Sequence, residues 1–328
     1  MPPRLPTGPL EDTPLRVIFM GSPDWALPSL QTLHDGPEEV VAVYSQPDKR
    51  AGRGRKWTPP PVAAWAAEQG LPVHQPPVLR RLDELQRFEA LRPDLAVVVA
   101  YGKILGPRFL ATPRFGCVNV HFSLLPAYRG AAPVQWAIIR GESMTGVTTM
   151  QMDEGLDSGP ILLQQSEPIH PDDTCQDVGQ RLATAGADLL RSTLDLLRAG
   201  MLRATEQDEA LASEAPTLCK GDGAIDWSLP AEELQRLIRG TCPWPGAFTF
   251  RDGRRLKILD SVVDARDVVE DVAPGEVVRT DKNGVYVACG RGVLLLRELQ
   301  PEGKRAMDGP SFVNGFRVAT GEKWITEP

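Results

Sequence analysis

LRVIFMGSPDWALPSLQTLH, residues 15–34, decides how the first half of the chain is read. LRVIF (15–19) is short, branched and apolar, which predicts a strand buried on both faces. It stops at GSP, after which DWALPSLQTLH can form a helix. Strand then helix recurs downstream: EVVAVYS (39–45) reads as a strand, PVAAWAAEQG (61–70) as a helix, LPVHQ (71–75) as a short strand and LDELQRFEAL (82–91) as an amphipathic helix. DLAVVVAY (94–101), CVNVHF (117–122) and GVTTMQM (146–152) supply further strands. Strands of this kind alternating with helices predict an α/β domain, a Rossmann-like, doubly wound and mostly parallel sheet covered by helices.

Around that domain the chain divides into four parts. Residues 1–13 are Pro-rich and aperiodic and read as a mobile arm. The first domain spans 14–203 and closes with a long helix over 174–199, whose Val178, Leu182, Ala185, Leu189, Leu190, Leu194 and Leu197 fall near one stripe. Residues 204–220 are polar without a period and read as a linker. The second domain, 221–328, begins with a helix, AEELQRLIRG (231–240). AFTF, RLKIL, GEVVRT, GVYVAC and GVLLLREL then follow as short strands between turns, which predicts a small OB-like β-barrel.

Composition narrows the function classes. The chain has 328 residues, 36 Lys and Arg against 43 Asp and Glu, and a net charge of −7. Indiscriminate binding to nucleic acid or to an anionic membrane is therefore unexpected, and any RNA contact must come from a local basic patch. The longest apolar run, Leu95 to Tyr101, is far short of the ~20 residues that cross a bilayer, and the start has no apolar leader segment. A cytoplasmic protein is expected. Five widely spaced cysteines without a CxxC pair suit a reducing compartment, and four histidines with no i,i+4 pair predict no metal site.

Four stretches could carry chemistry. GSPDWA (21–26) occupies the first strand-to-helix turn but lacks the glycines a dinucleotide requires, so NAD is not expected; taken alone, Ser22 or Asp24 simply caps a helix. CVNVHFSLLPAYRGAAP (117–133) places Asn119 and His121 at i and i+2, on one face of a strand and at its carboxyl end. An amide beside an imidazole can aim two donors at one developing oxyanion, although such a strand end can also satisfy nothing more than loop backbone. MDEGLDSGP (152–160) offers Asp153, Glu154 and Asp157 on a Gly-rich loop from which a carboxylate can reach a neighbouring strand's His. SQPDKRAGRGRKWTPPP (45–61) sets Lys49, Arg50, Arg53, Arg55 and Lys56 against Asp48 alone, a flexible loop suited to clamping phosphates or to lying idle in solvent.

Taken together, GSPDWA, QPDKRAGRGRK, AYGKIL, the Asn119/His121 strand, GLDSG, GAIDW, IRGTCPWPGA and LQPEGKRAM resemble the formyltetrahydrofolate-dependent formyltransferases, from about Leu15 to Gly315. The resemblance is strongest to members that act on charged initiator tRNA. It implies the formyltransferase fold and transfer of a formyl group from 10-formyltetrahydrofolate, as co-substrate, to the α-amine of methionyl initiator tRNA. The family's catalytic triad maps onto Asn119, His121 and Asp157, and its folate-binding segment onto Ser123, Leu124, Leu125 and Pro126. The loop that engages the tRNA acceptor end maps onto Lys49, Arg50, Arg53, Arg55 and Lys56, with Arg53 central. By the same resemblance the OB-like domain contacts tRNA, and a monomer is expected. Departures from the pattern are Ser22 and Trp25 where Thr and Phe are usual, Ser158 and Pro160 where Thr and an acidic residue are usual, and Thr217 where a Lys is common, with Lys220 retained.

Competing readings remain at this point. Glycinamide ribonucleotide formyltransferases share the three residues but end after one domain. Formyltetrahydrofolate hydrolases and nucleotide-sugar formyltransferases can carry a second domain, but neither needs a basic clamp. A tRNA-binding module without activity is the alternative from another class, and the intact triad speaks against it.

Overall fold

The computed structural model describes residues 5–327 except 12, 52, 53, 55 and 265–271. The chain forms two compact units, the first taking in the chain up to Pro133, Met144–Pro168 and Gly179–Pro216, the second Val134–Ser143, Ile169–Val178 and the chain from Thr217 onward.

In the first unit the elements run β1 (Arg16–Gly21), α1 (Leu27–His34), β2 (Glu39–Tyr44), β3 (Lys49–Ala51), β4 (Lys56–Thr58), α2 (Pro61–Glu68), β5 (Val73–His74), α3 (Leu82–Ala90), β6 (Leu95–Val99), α4 (Pro107–Ala111) and β7 (Cys117–His121). After α5 (Pro133–Ile139), which from Val134 onward belongs to the second unit, come β8 (Met144–Gln151), β9 (Ile161–Pro168) and α6 (Cys175–Arg198), the last in the first unit from Gly179 onward. The seven-stranded sheet has the order β5-β2-β1-β6-β7-β8-β9. It is parallel from β5 to β7, and the β7–β8 and β8–β9 pairings are antiparallel. The chain builds outward from β1 in one direction, then crosses to β6 and builds in the other, so the order reverses beside β1. That is where open α/β sheets bind ligands, outside the carboxyl ends of the strands.

The expected mostly parallel sheet is present, with β9 as an unforeseen strand. ILLQQSEP turns polar halfway and is buried only near its start, so it lacks the apolar run that marks the central strands. The basic stretch read as a flexible loop instead contains a hairpin, β3 paired antiparallel with β4 through Arg50↔Trp57. Arg53 and Arg55 lie outside the described residues. α6 packs Gly186 against Val120 and Val147, where an added Cβ would come within 2.9 Å of Val120. Its Gly179 seats the Trp25 indole, 2.1 Å from where a Cβ would stand, so a glycine makes room for the larger ring at this departure from the family pattern. Glu38, with a fully buried side chain, ties α6 to the start of β2 by pairing with Arg191 at 2.8 Å and Arg198 at 3.4 Å.

Two segments expected to be loose have partners. In the stretch read as a mobile arm, the Leu10 N–H donates to the Arg198 carbonyl at 2.8 Å. In the stretch read as a linker, Thr205 and Ile161 exchange backbone bonds of 2.8 Å, the Arg129 N–H donates to Ser213 O, and Ala215 N–H donates back to Arg129 O. Residues 205–215 are thus a strap on the first unit, broken by a 3-10 turn at Glu209–Leu211. It has no hydrophobic period because its bonds run through backbone and polar groups, to the start of β9 and the loop after β7, rather than through a buried face.

In the second unit, α7 (Ala231–Thr241) precedes β10 (Ala247–Arg251), β11 (Arg254–Asp264), β12 (Val277–Asp281), β13 (Gly284–Ala288), β14 (Val293–Pro301), β15 (Met307–Asp308) and α8 (Gly309–Phe316). The antiparallel order is β10-β11-β14-β13-β12, with β15 on β14. The C-terminal segment joins the two edges: Val277 N–H donates to Glu322 O at one end, while Phe250 and Ile325 exchange bonds of 2.8 and 3.1 Å at the other. This closes the expected barrel over a core that includes Trp227, Leu234, Ile258, Val287, Leu296, Phe312 and Trp324.

Candidate active site

β7 is fully buried along its length, and the alternation of a strand sorts its side chains. Val120 and Phe122 turn towards α6. Cys117 turns the other way, into a cluster with Ile18, Met20, Ala96 and Val98. Asn119 and His121 share the face of Cys117 and carry that line from apolar core to the carboxyl end of the strand. Burial pushes the Cys117 thiol up to about 12, so it stays a protonated core residue.

The structure brings together the three residues expected to act. Asn119 Nδ2 donates to Asp157 Oδ1 at 3.4 Å, and His121 Nδ1 lies 3.6 Å from Asp157 Oδ2. The imidazole is 6% exposed and the carboxylate 14%, so the pair is largely shielded from water. His121 Nε2 lies 2.9 Å from the Tyr128 carbonyl oxygen. A carbonyl only accepts, so Nε2 carries a hydrogen and Nδ1 is the atom turned towards the carboxylate. The Gly130 N–H donates to Asp157 Oδ2 at 2.8 Å. The Asn119 amide and the His121 ring nitrogen Nδ1 therefore both face one carboxylate at distances longer than an ordinary hydrogen bond, while the carboxylate is held by a normal one from Gly130.

Two residues of this cluster stand in left-handed backbone conformations, Tyr128 at φ 62° and Asp157 at φ 50°. Neither is glycine, so each is held there by its surroundings. Tyr128 N–H donates to Ser213 Oγ at 2.9 Å. Gln207 Nε2 donates to the carbonyls of Asp157 and Gly159, at 2.8 and 2.7 Å. Gln207 Oε1 accepts from the Arg129 guanidinium at 2.9 Å, which also pairs with Glu209 at 2.8 Å.

The turn Ser123–Pro126 follows β7 directly. Thr148 Oγ1 donates to Ser123 O at 2.7 Å and accepts from Leu125 N–H at 3.2 Å; Gln164 Nε2 donates to Leu125 O at 2.8 Å. Ser123 Oγ donates to Ala127 O at 2.6 Å. These bonds make the turn rigid, and they leave the partly buried Leu124 and Pro126 as its outer surface.

At the carboxyl ends of the neighbouring strands, Ser22 Oγ accepts from Gln46 N–H at 3.0 Å. Gln46 Nε2 donates to Tyr101 O at 2.9 Å, and Gln75 Nε2 donates to Gln46 O at 2.9 Å and to Asp48 Oδ1 at 2.8 Å. Asp48 is the residue before the hairpin, so this network anchors the root of the hairpin. Beyond it Lys49, Arg50 and Lys56 are exposed. Trp57 is 65% exposed, with the Arg50 guanidinium 5.4 Å from its ring centre.

Sequence reasoning missed Tyr128, Gly130, Thr148, Gln164 and Gln207. Their contributions run through backbone groups or through partners up to 85 residues away in the chain, and no spacing rule reaches that far. Among the described residues no group of three His, Cys, Asp or Glu side chains is arranged to hold a metal ion, and no helix is long and apolar enough to cross a membrane.

Comparison with known proteins identifies the family. Residues 15–194 match the formyl transferase family and residues 217–317 its C-terminal domain. The methionyl-tRNA formyltransferase of Geotalea uraniireducens is 47% identical over 307 residues, covering 94% of this chain and 97% of that one. That of Trichlorobacter lovleyi is 48% identical, covering 93% and 96%. Among solved structures, the sugar 3N-formyl transferase WlaRD, crystallised with dTDP and 5-N-formyl-THF, superposes with a TM-score of 0.64 at 18% identity. It covers 89% of this chain and 99% of its own, a likeness of fold. HypX from Aquifex aeolicus, in complex with tetrahydrofolic acid, gives a TM-score of 0.64 at 16% identity over 94% of this chain and 48% of its own. Two family domains in order and near-half identity along almost the whole length have one meaning: the chain belongs to the methionyl-tRNA formyltransferases.

Proposed function

We propose that the chain transfers the formyl group of 10-formyltetrahydrofolate to the α-amine of methionine carried by initiator tRNA, in the cytoplasm and as a monomer. The observation that carries the mechanism is the convergence of Asn119 Nδ2 and His121 Nδ1 on the Asp157 carboxylate. Two donors aimed at one place, in a site shielded from water, can stabilise the oxygen that gains charge as an amine adds to a formyl carbon. Their long contacts to Asp157 leave both able to turn to that oxygen, and such contacts tighten only when substrate is bound. His121 does this as the imidazolium: Nε2–H stays on the Tyr128 carbonyl while Nδ1–H serves the oxyanion. Asp157 orients the ring and accepts the proton that the amine sheds. The amine adds to the formyl carbon first; the adduct then collapses, its oxygen re-forming the carbonyl as the bond from that carbon to the folate nitrogen breaks, and the nitrogen leaves with the proton that Asp157 took from the amine.

The Ser123–Pro126 turn fits the folate as a preformed apolar wall, since its own backbone groups are already engaged by Thr148 and Gln164. Lys49, Arg50 and Lys56 of the hairpin, with Arg53 and Arg55, would engage phosphates of the acceptor end. The second unit would add further tRNA contacts. The test is to supply 10-formyltetrahydrofolate with methionyl initiator tRNA, with free methionine, or with no acceptor. Formylation confined to the charged tRNA is expected; folate release without an acceptor would instead mark a hydrolase.

A further inference from the structure

We infer that Gln207, on the strap that follows α6, is a positioning residue for the formyl-transfer reaction: it holds Asp157 in the backbone conformation that aims its carboxylate at Asn119 and His121. The inference rests on the role proposed above for Asp157.

The carboxylate reaches its place only because the backbone at Asp157 is left-handed, at φ 50°, where a residue with a Cβ is strained. The side chain of Asp157 does not hold that conformation, since its oxygens point at Asn119, His121 and Gly130. Within the loop Ser158 Oγ bonds to Asp153 at 3.0 and 3.1 Å, and from outside it a primary amide grips the backbone on the other side. Gln207 Nε2 places one hydrogen on the Asp157 carbonyl at 2.8 Å and the other on the Gly159 carbonyl at 2.7 Å, bracketing Ser158. A CO–NH2 group is suited to this because it carries two donors on one atom. Its own oxygen is occupied by the Arg129 guanidinium, with Nε at 3.1 Å and a terminal nitrogen at 2.9 Å, which sets the amide plane and fixes which end faces the loop.

The same strap serves the opposite wall of the site. Ser213 accepts from the Tyr128 and Arg129 amides, through its Oγ and its carbonyl respectively, and the Tyr128 carbonyl is the acceptor for His121 Nε2. Gly130, whose N–H holds Asp157 Oδ2, has its backbone against the Ala215 carbonyl, 2.6 Å from where a Cβ would stand. Gln207 is thus the member of the strap that sets the carboxylate, as Ser213 sets the acceptor of the imidazole.

A misplaced catalytic group costs turnover rather than affinity. In Gln207→Leu, kcat for formylation is expected to fall about 10- to 100-fold. KM for the tRNA and for the formyl donor should stay within about twofold, since no substrate-binding group is removed. The Gly130 amide proton, which reports the bond to Asp157, should shift in the NMR spectrum and exchange faster with solvent. A kcat near that of the parent, or a loss carried by KM, overturns the inference, as does a drop in kcat with the Gly130 amide unmoved. Should Gln207→Leu fail to fold, Gln207→Glu asks the same question. It keeps the length and the Arg129 contact but presents oxygens to two carbonyls, so the same loss is expected; full activity in it overturns the role of the amide. Parallel assay of His121→Ala separates the two readings. Full activity there removes the proposed mechanism, whereas an inactive His121→Ala beside an active Gln207→Leu removes only the positioning role.

Discussion

The end of β7 and the β3–β4 hairpin both lie on connections that leave the carboxyl ends of parallel strands, yet they are built in opposite ways. At the end of β7 the polar groups are few, buried and held by other residues, down to the carbonyl that receives His121 Nε2. On the hairpin the polar groups are many, exposed and charged, and an exposed indole stands among them. The difference follows from the tasks proposed for them. Stabilising a transition state requires donors fixed in advance in a medium that strengthens each bond, whereas capturing a polyanion requires charge that reaches into solvent and can adapt. One sheet supplies both, because its strand ends are rigid while the length of each connection is free.

If the division is real, each region fails in its own way when altered. The largest effect is expected for His121→Ala, with kcat lower by roughly 10²–10³-fold, as for loss of an oxyanion donor, and tRNA affinity nearly unchanged. Single-turnover formylation at saturating tRNA checks this. Next comes Lys49→Ala with Arg50→Ala and Lys56→Ala. Removing three charges should weaken tRNA binding by roughly tenfold and flatten the dependence of log K on log salt by about 0.7–0.9 for each phosphate no longer neutralised. Folate affinity should not move. Titrations at several salt concentrations measure the slope, and an unchanged slope would leave the hairpin without a role in binding. The smallest effect on activity is expected for Gly179→Ala, behind the site. Its new methyl group would press on Trp25 and cost about 1–3 kcal/mol of stability as overpacking, with kcat held at temperatures where the protein stays folded. Thermal unfolding alongside activity distinguishes the two.

The parts that can be read in the sequence are those set by local periodicity. LRVIF, DLAVVV and CVNVH are strands because they must be buried on both faces, and the alternation in CVNVH alone puts Asn119 and His121 on one side. Asp157 is within reach because a carboxylate on a Gly-rich loop after a strand is an unusual local pattern. Hairpin β3–β4 is hidden by its charge, since Lys, Arg and Gly give no apolar alternation. The strap of 205–215 is hidden for the complementary reason: its order comes from bonds to groups distant in the chain, the start of β9 and the loop after β7, and its sequence carries only the polarity of a linker. The closing of the barrel by 321–325 belongs to the same class, because a few bridges at its two edges do the joining.

In the proposed division of labour, turnover resides at the end of β7 and tRNA capture on the hairpin. The most direct measurement determines, on one preparation of methionyl initiator tRNA, both the single-turnover formylation rate and the tRNA Kd for His121→Ala and for the triple hairpin variant. A crossed result is expected: His121→Ala loses rate and keeps Kd, while the hairpin variant binds more weakly and keeps its rate at saturation. A variant pair in which both quantities fall together, or in which the hairpin change slows the saturated step as much as the loss of His121, would contradict it.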